Sequence, residues 1–257
     1  MKKETMMIEV TNLKKNLGNK EVLKGASLSI TKGETRVIIG QSGCGKSVLL
    51  KHIIGLMHPD SGDVYVDGLH ISSLNRRELN EVRSKFGMLF QSAALFDSLT
   101  IGENIAFRQI QSRRFSKKEI NRLVEEKLAM VGLHNISHQK PAELSGGMQK
   151  RVGLARAIAA DPEIILYDEP TTGLDPITAD QINDLILHLQ DVLNVTSVAV
   201  THDMVSAYKI ASSISMLYNG EVIETKPPSG IQRSKNPFVK QFINGEAYGP
   251  ITNIRPF

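Results

Sequence analysis

Gly40-Gln41-Ser42-Gly43-Cys44-Gly45-Lys46-Ser47 has the spacing G-x-x-x-x-G-K-[ST]. Such a loop surrounds a triphosphate with backbone N–H groups, while its lysine neutralises the outer phosphates and its hydroxyl holds magnesium. The flanks suit that chemistry. Arg36-Val37-Ile38-Ile39 is a short apolar run fit for a buried strand, and Val48 to Ile54 continues the loop as a helix. A phosphate in the loop would therefore meet a helix N-terminus, where unpaired donors and the dipole both favour an anion. Cys44 reads as a tolerated small residue of the same loop.

Phosphate hydrolysis also needs a metal, an oriented water and a group to take its proton. Ile164-Ile165-Leu166-Tyr167 reads as a strand that delivers Asp168 and Glu169 to its C-terminal end, the edge where open α/β sheets bind ligands. Asp168 is placed to support magnesium through coordination or its water shell. Glu169, pointing the other way, is the candidate to accept a proton from the attacking water. Gln91, at the end of the predicted strand Phe86 to Phe90, is a candidate to touch both water and metal, and His202, just beyond a strand over Val195 to Val200, a candidate for the γ-phosphate. Leu144-Ser145-Gly146-Gly147-Met148 opens another helix with a hydroxyl and two glycine amides, a second anion-binding start. One nucleotide rarely needs two such starts from one chain.

The elements that must position these groups alternate between strands and helices. Met6 to Val10 and Ala26 to Ile30 read as strands, with Ala26, Leu28 and Ile30 facing inward and Ser27 and Ser29 outward. Asp63 to Val66 is a further strand closed by Asp67-Gly68, which predicts an antiparallel sheet beside a parallel nucleotide-binding core. Asn75 to Lys85 reads as a charged helix. Ser92 to Phe107 reads as an apolar loop, and Gln109 to Lys118, with Arg113, Arg114, Lys117 and Lys118, as a solvated connector. Ser116 and Glu119 form a capping box for a helix that ends at Gly132, and a second helix runs from near Gly147 to Ala160. Pro176 to Leu193 and Asp203 to Ala211 are helices. Asn219-Gly220 joins Ile214–Tyr218 to Glu221–Thr225 as a hairpin, and Pro227-Pro228-Ser229-Gly230 then breaks the fold.

Composition narrows the class further. At 257 residues with 41% hydrophobic content the chain can build a full core, and no apolar run approaches the ~18 to 20 residues of a membrane-spanning helix. Lys2 and Lys3 are followed by Glu4 and Glu9 without a hydrophobic stretch, so the expectation is a cytoplasmic product. One cysteine excludes an internal disulfide, and a net charge of +4, from 31 basic against 27 acidic residues, is too mild and dispersed for nucleic acid. It is compatible with an anionic membrane surface.

Taken in order, these motifs resemble the ATP-binding subunit of ATP-binding cassette (ABC) transporters, from Ile8 to about Thr225. The matching segments are the Walker A loop (Gly40 to Ser47), the Q-loop (Gln91), the signature (Leu144 to Met148), Walker B (Ile164 to Asp168, then Glu169), the D-loop (Gly173-Leu174-Asp175) and the H-loop (His202). The resemblance implies an α/β P-loop NTPase cassette with a RecA-like mixed or parallel sheet core, an antiparallel β subdomain and an inserted helical subdomain at about residues 92–160. It implies ATP and Mg2+ as cofactors, with catalytic roles for Glu169, His202, Gln91 and Lys46, and metal contacts from Ser47, Gln91 and Asp168. Gly40, Gln41, Ser42, Gly43, Cys44, Gly45, Lys46, Ser47, Val48 and Asp175 would contact the nucleotide. Two copies would sandwich ATP head to tail, Ser145, Gly146 and Gly147 of one copy binding the γ-phosphate held by the other.

Two positions depart from the family pattern. The chain has no aromatic residue before Tyr65 to stack on adenine, so base contact would fall to Leu17 or Val22, and Met148 stands where the family usually has glutamine. The run Gln91 to Thr100 and the ending Asn236 to Phe242, with Gly245 and Gly249-Pro250, are similar to ATPases of bacterial maintenance-of-lipid-asymmetry systems, which work with MCE-type lipid-binding proteins. That likeness implies phospholipid transport between inner and outer membranes, permease partners, and a site on the inner face of the bacterial plasma membrane. Residues 226–257, with Phe238, Phe242, Tyr248 and Phe257, would form a tail packed along the dimer. The alternatives are polar amino-acid import and a non-transport cassette such as a division-associated ATPase. Neither involves nucleic acid.

Overall fold

A computed structural model describes residues 5–252, so Phe257 and the Lys2–Glu4 segment lie outside the described residues. The chain runs β1 (Met6–Leu17), β2 (Lys20–Thr31), β3 (Thr35–Ile39), α1 (Lys46–Ile53), β4 (Ser61–Val66) and β5 (Leu69–His70), then α2 (Arg76–Arg83) and β6 (Phe86–Leu89). Next come α3 (Ile101–Ile105), α4 (Phe107–Ser112), α5 (Lys117–Met130), α6 (Gly146–Ile158), β7 (Ile164–Asp168) and α7 (Pro176–Leu193). The last elements are β8 (Thr196–Thr201), α8 (Met204–Ile210), β9 (Ser213–Tyr218), β10 (Glu221–Lys226), α9 (Pro228–Gln232) and α10 (Pro237–Asn244). Two compact units result, one from residues up to Asn75 together with Ala199 onward, the other from Arg76 to Val198.

The first unit holds an antiparallel sheet in the order β2-β1-β4-β5. The alternation read from Ala26 to Ile30 is observed, with Ala26 and Ile30 fully buried and Ser27 and Ser29 exposed. β1 runs well past Val10 because irregularities between Val10 and Leu13 and between Lys15 and Asn16 reset its register, which hides the strand from a simple period of two. The same unit pairs β3 in parallel with β9, Arg36 opposite Ser213 and Ile39 opposite Met216, and β9 antiparallel with β10 across the Asn219-Gly220 turn. Val37, Ile38 and Ile39 are fully buried, as a strand covered on both faces requires. Arg36 ties the two sheets together. It pairs with Glu34 (2.8 Å) and donates to the Ser215 hydroxyl (3.0 Å) and the Ser29 carbonyl (3.0 Å).

The tail departs from the expected break. Pro228 stands at the first position of α9, where a missing N–H costs nothing, and α10 begins under an Asn236 cap. Phe238 packs on Tyr218 with ring centroids 4.7 Å apart, and Ile231 and Val239 are fully buried. Gln241 then holds the segment up to Thr252: its amide donates to the Glu246 carbonyl and the Thr252 hydroxyl, and its Oε1 accepts from Ile251 N at 2.7 Å.

In the second unit β6 and β7 pair in parallel, Phe86 opposite Ile164 and Leu89 opposite Tyr167. The segment read as loop and connector contains α3 and α4. A capping box of Thr100 and Glu103 starts α3, and the fully buried Asn104 amide binds the carbonyls of Phe96, Leu99 and Thr100 while its Oδ1 accepts from Phe96 N at 2.7 Å. Those contacts organise a stretch that carries no helical periodicity of its own. The basic residues Arg113, Arg114, Lys117 and Lys118 are exposed, and the Ser116–Glu119 capping box on α5 is formed in both directions.

Candidate functional site

The loop from Gly40 to Ser47 lies between buried β3 and α1, so its position is set by the core. Gly45 caps α1 with φ 108°, and a Cβ there would stand 3.0 Å from Leu23 and 3.2 Å from the Val22 carbonyl. Only glycine accepts both the left-handed geometry and that approach. Lys46, 6% exposed, turns its Nζ back on the loop and donates to the carbonyls of Gly40 (2.7 Å) and Gln41 (3.1 Å). The ammonium thus sits where a phosphate cradled by the loop amides would meet it.

Beside the loop is a cleft of about 350 Å³, lined by Gln41, Ser42, Gly43, Cys44, Lys20, Glu21, Val22, Tyr218, Asn219, Gly220 and Ile251. Lys24 N donates to the Gly220 carbonyl at 2.9 Å, which holds the hairpin turn against β2 at this edge. Val22 is on the lining; Leu17, 43% exposed at the end of β1, is outside it. Ser47 and Val48 lie in the first turn of α1. His202 is exposed between β8 and α8, where Asp203 caps the helix by accepting from Val205 N (3.0 Å) and Ser206 N (3.3 Å).

The second unit gathers the remaining candidates. Asp168 ends β7, and Glu169 follows with φ 51°, a left-handed turn that a side-chain-bearing residue adopts at a cost of about 1 to 2 kcal/mol. The Glu169 side chain is buried and accepts a hydrogen bond from the Thr172 hydroxyl at 3.1 Å. Ser145 caps α6 by accepting from Met148 N at 3.3 Å, and Ser145 and Gly146 are exposed at that N-terminus. A Cβ on Gly147 would approach Thr178 to 2.6 Å, so α6 and α7 start in contact. Asp175 is exposed and caps α7; its carboxylate accepts from Thr178 N (3.0 Å) and the Thr178 hydroxyl (2.6 Å), bonds that hold it below the usual carboxylate range.

Sequence reasoning passed over Lys150. It is 4% exposed on α6, and its Nζ donates to the carbonyl of Gln91 at 2.6 Å and the carbonyl of Glu169 at 3.2 Å. Burial pulls its pKa down to about 8, opposed by the charges of Glu169 and Asp168. Arg156, also on α6, donates to the carbonyls of Ala94 (2.6 Å) and Ala93 (2.5 Å), both left-handed at φ 46° and 58°. A lysine just after a glycine-rich helix start looks like solvated surface. Only its burial reveals what it holds.

Comparison with known proteins gives the family. Residues 23–172 match the family model for the ABC transporter. The chain belongs to that family. A probable ribonucleotide transport ATP-binding protein of Mycobacterium bovis is 41% identical over 244 residues, covering 95% of this chain and 68% of that protein. The intermembrane phospholipid transport ATP-binding protein MlaF of Haemophilus influenzae is 40% identical over 245 residues, covering 95% of this chain and 93% of its own. Among solved structures, the dimeric cassette MJ0796 in a post-hydrolysis state bound to ADP and Pi superposes with a TM-score of 0.79 at 36% identity, over 86% of this chain and 99% of that one. This ABC chain is an ATP-hydrolysing cassette subunit that powers a transporter. Among the described residues no helix is long and apolar enough to cross a membrane.

Proposed function

We propose that this cassette drives phospholipid movement between the inner and outer membranes of a bacterium, working beneath a permease on the cytoplasmic face of the inner membrane with an MCE-type lipid-binding protein. The observation that carries the lipid assignment is the likeness to the phospholipid transport relative over almost the whole of both chains. Docking to a membrane subunit is supported by the exposed side chains after β6: Phe90, Phe96 and Phe107, 37%, 47% and 36% exposed, with Phe96 and Phe107 in ring contact at 4.9 Å. Large apolar groups left in water at this density mark an interaction surface.

In this reading two copies sandwich ATP, with Lys46 and the amides of Gly40 to Val48 on the phosphates, and Val22 or Leu17 toward the base. Ser145, Gly146 and Gly147 of the other copy meet the γ-phosphate, and Asp175 and His202 complete the contacts. Mg2+ suits the oxygen donors of Ser47, Gln91 and Asp168, a hydroxyl, an amide carbonyl and a carboxylate of the hard type that ion prefers. Glu169 takes the proton from the attacking water, which Gln91 helps orient. In the same reading residues 1–225 are the cassette, with an inserted helical subdomain at about 92–160, and 226–257 are a tail that packs on the dimer. Because closure is stabilised only by a nucleotide that touches both copies, hydrolysis removes the differential affinity and the pair reopens.

The test is purification of the intact membrane complex from its native host, followed by mass spectrometry of bound small molecules. Phospholipid retained by the complex and moved to acceptor vesicles in an ATP-dependent way is the expected result. A complex that carries an amino-acid-binding protein, and stimulates its ATPase only with an amino acid, refutes the lipid assignment.

A further inference from the structure

Lys150 occupies a position that its surroundings explain poorly as packing alone. Its ammonium is buried, yet both of its hydrogen bonds go to backbone carbonyls, at Gln91 (2.6 Å) and Glu169 (3.2 Å), in different segments of the second unit. Glu169 carries an unfavourable left-handed backbone, and its carbonyl is one of the two that Lys150 holds. A buried cation offsets its desolvation through such charge-assisted bonds and through nearby opposite charge, here that of Glu169 and Asp168. The direction of the Glu169 side chain follows from that backbone turn, with Thr172 holding the carboxylate at 3.1 Å. The helix that supplies the ammonium is the one that Ser145 caps.

We propose that Lys150 is a positioning residue for hydrolysis: one ammonium binds the carbonyls of Gln91 and Glu169, sets the Glu169 carboxylate, and couples both to the helix that begins after Ser145. This deepens the reading above and rests on Glu169 acting as the base. A movement of α6 is then a movement of the two groups that orient water and accept its proton. Arg156 extends the link, since its guanidinium takes up the carbonyls of Ala93 and Ala94, the left-handed pair just after Gln91.

The experiment uses the full-length chain and measures phosphate release alongside titration with a fluorescent ATP analogue. Lys150→Met keeps the aliphatic stem and removes the donors; Lys150→Arg keeps a cation with donors. Lys150→Met should lower kcat by about tenfold or more, the scale of losing charge-assisted bonds, while analogue affinity stays within about threefold. Lys150→Arg should recover most of that loss. The deciding measurement is the double variant: in a Glu169→Gln background, Lys150→Met should cost less than about threefold more, because residues acting through one group are not additive. An equal loss in both backgrounds, or a Lys150→Met enzyme with unchanged kcat, overturns the proposal. If circular dichroism finds Lys150→Met unfolded, Lys150→Gln, which keeps an amide donor, is judged by the same criteria. A Glu169→Gln enzyme as active as the parent refutes the base assignment itself, a result distinct from additivity at Lys150.

Discussion

Glu169→Gln separates chemistry from structure more cleanly than any other substitution in this chain. The amide oxygen of glutamine can accept from the Thr172 hydroxyl as the carboxylate does at 3.1 Å, and the bond from Lys150 at 3.2 Å goes to a backbone carbonyl that the change leaves in place. The change also removes one of the two carboxylate charges that oppose the desolvation of Lys150, so a stability loss of about 0.5 to 3 kcal/mol is expected, with Asp168 still in place. What is lost is proton acceptance. A positioned general base contributes a factor of about 10² to 10⁴, which is about 2.7 to 5.4 kcal/mol of barrier. Phosphate release at saturating ATP should fall by at least about 10²-fold, while affinity for a fluorescent ATP analogue stays within about threefold. The same variant should accumulate ATP-bound dimer, seen by light scattering. A kcat within about threefold of the parent, or a loss confined to nucleotide affinity, would refute the reasoning.

Lys46→Ala removes the ammonium held at the mouth of the loop by Gly40 and Gln41, and analogue titration should show affinity weakened by about tenfold or more; undiminished affinity would contradict the phosphate assignment. Ser145→Arg puts a long cation on an exposed helix cap, and in the Glu169→Gln background it should abolish the ATP-dependent dimer; unchanged dimer formation would exclude binding in trans. His52, 1% exposed on α1 with Nδ1 2.8 Å from the Val48 carbonyl, is held by burial below the ordinary histidine value of 6.5. Below that pH the unfolded chain binds more protons than the native one, so this contribution is complete above it and is lost as pH falls. Thermal melts should drop between pH 7.5 and 5.5, and His52→Leu should flatten the decline; an unchanged slope would assign it to other groups.

Much of the local structure around the candidate site could be read directly from residues that act locally. The Gly40–Ser47 spacing, the apolar strand ahead of it, the Ser116 and Glu119 capping box, the Asn219-Gly220 hairpin and the helix over Pro176–Leu193 all depend on side chains within a few positions of one another. Such features are written in the chain because turn chemistry, caps and periodicity do not wait for tertiary contacts. The exceptions are the places where periodicity and breaker residues are a poor guide. α3 and α4 lack a clear period, and α3 is organised by a cap and by the buried Asn104 amide; β1 outruns its alternation through irregular register; Pro228 starts a helix where its dipeptide suggested a break.

For function the division is similar. Residue types and their order were enough to specify a nucleotide-hydrolysing cassette, since a phosphate loop, a strand-end acid pair and a second glycine-rich helix start each carry their chemistry in a few adjacent residues. Only the tertiary structure could decide what holds those groups in place. Gln91, Lys150 and Glu169 are far apart in the chain, and nothing local relates them; burial of one ammonium with two carbonyls does. A buried charge must find partners wherever the fold supplies them, and that requirement has no signature in the sequence.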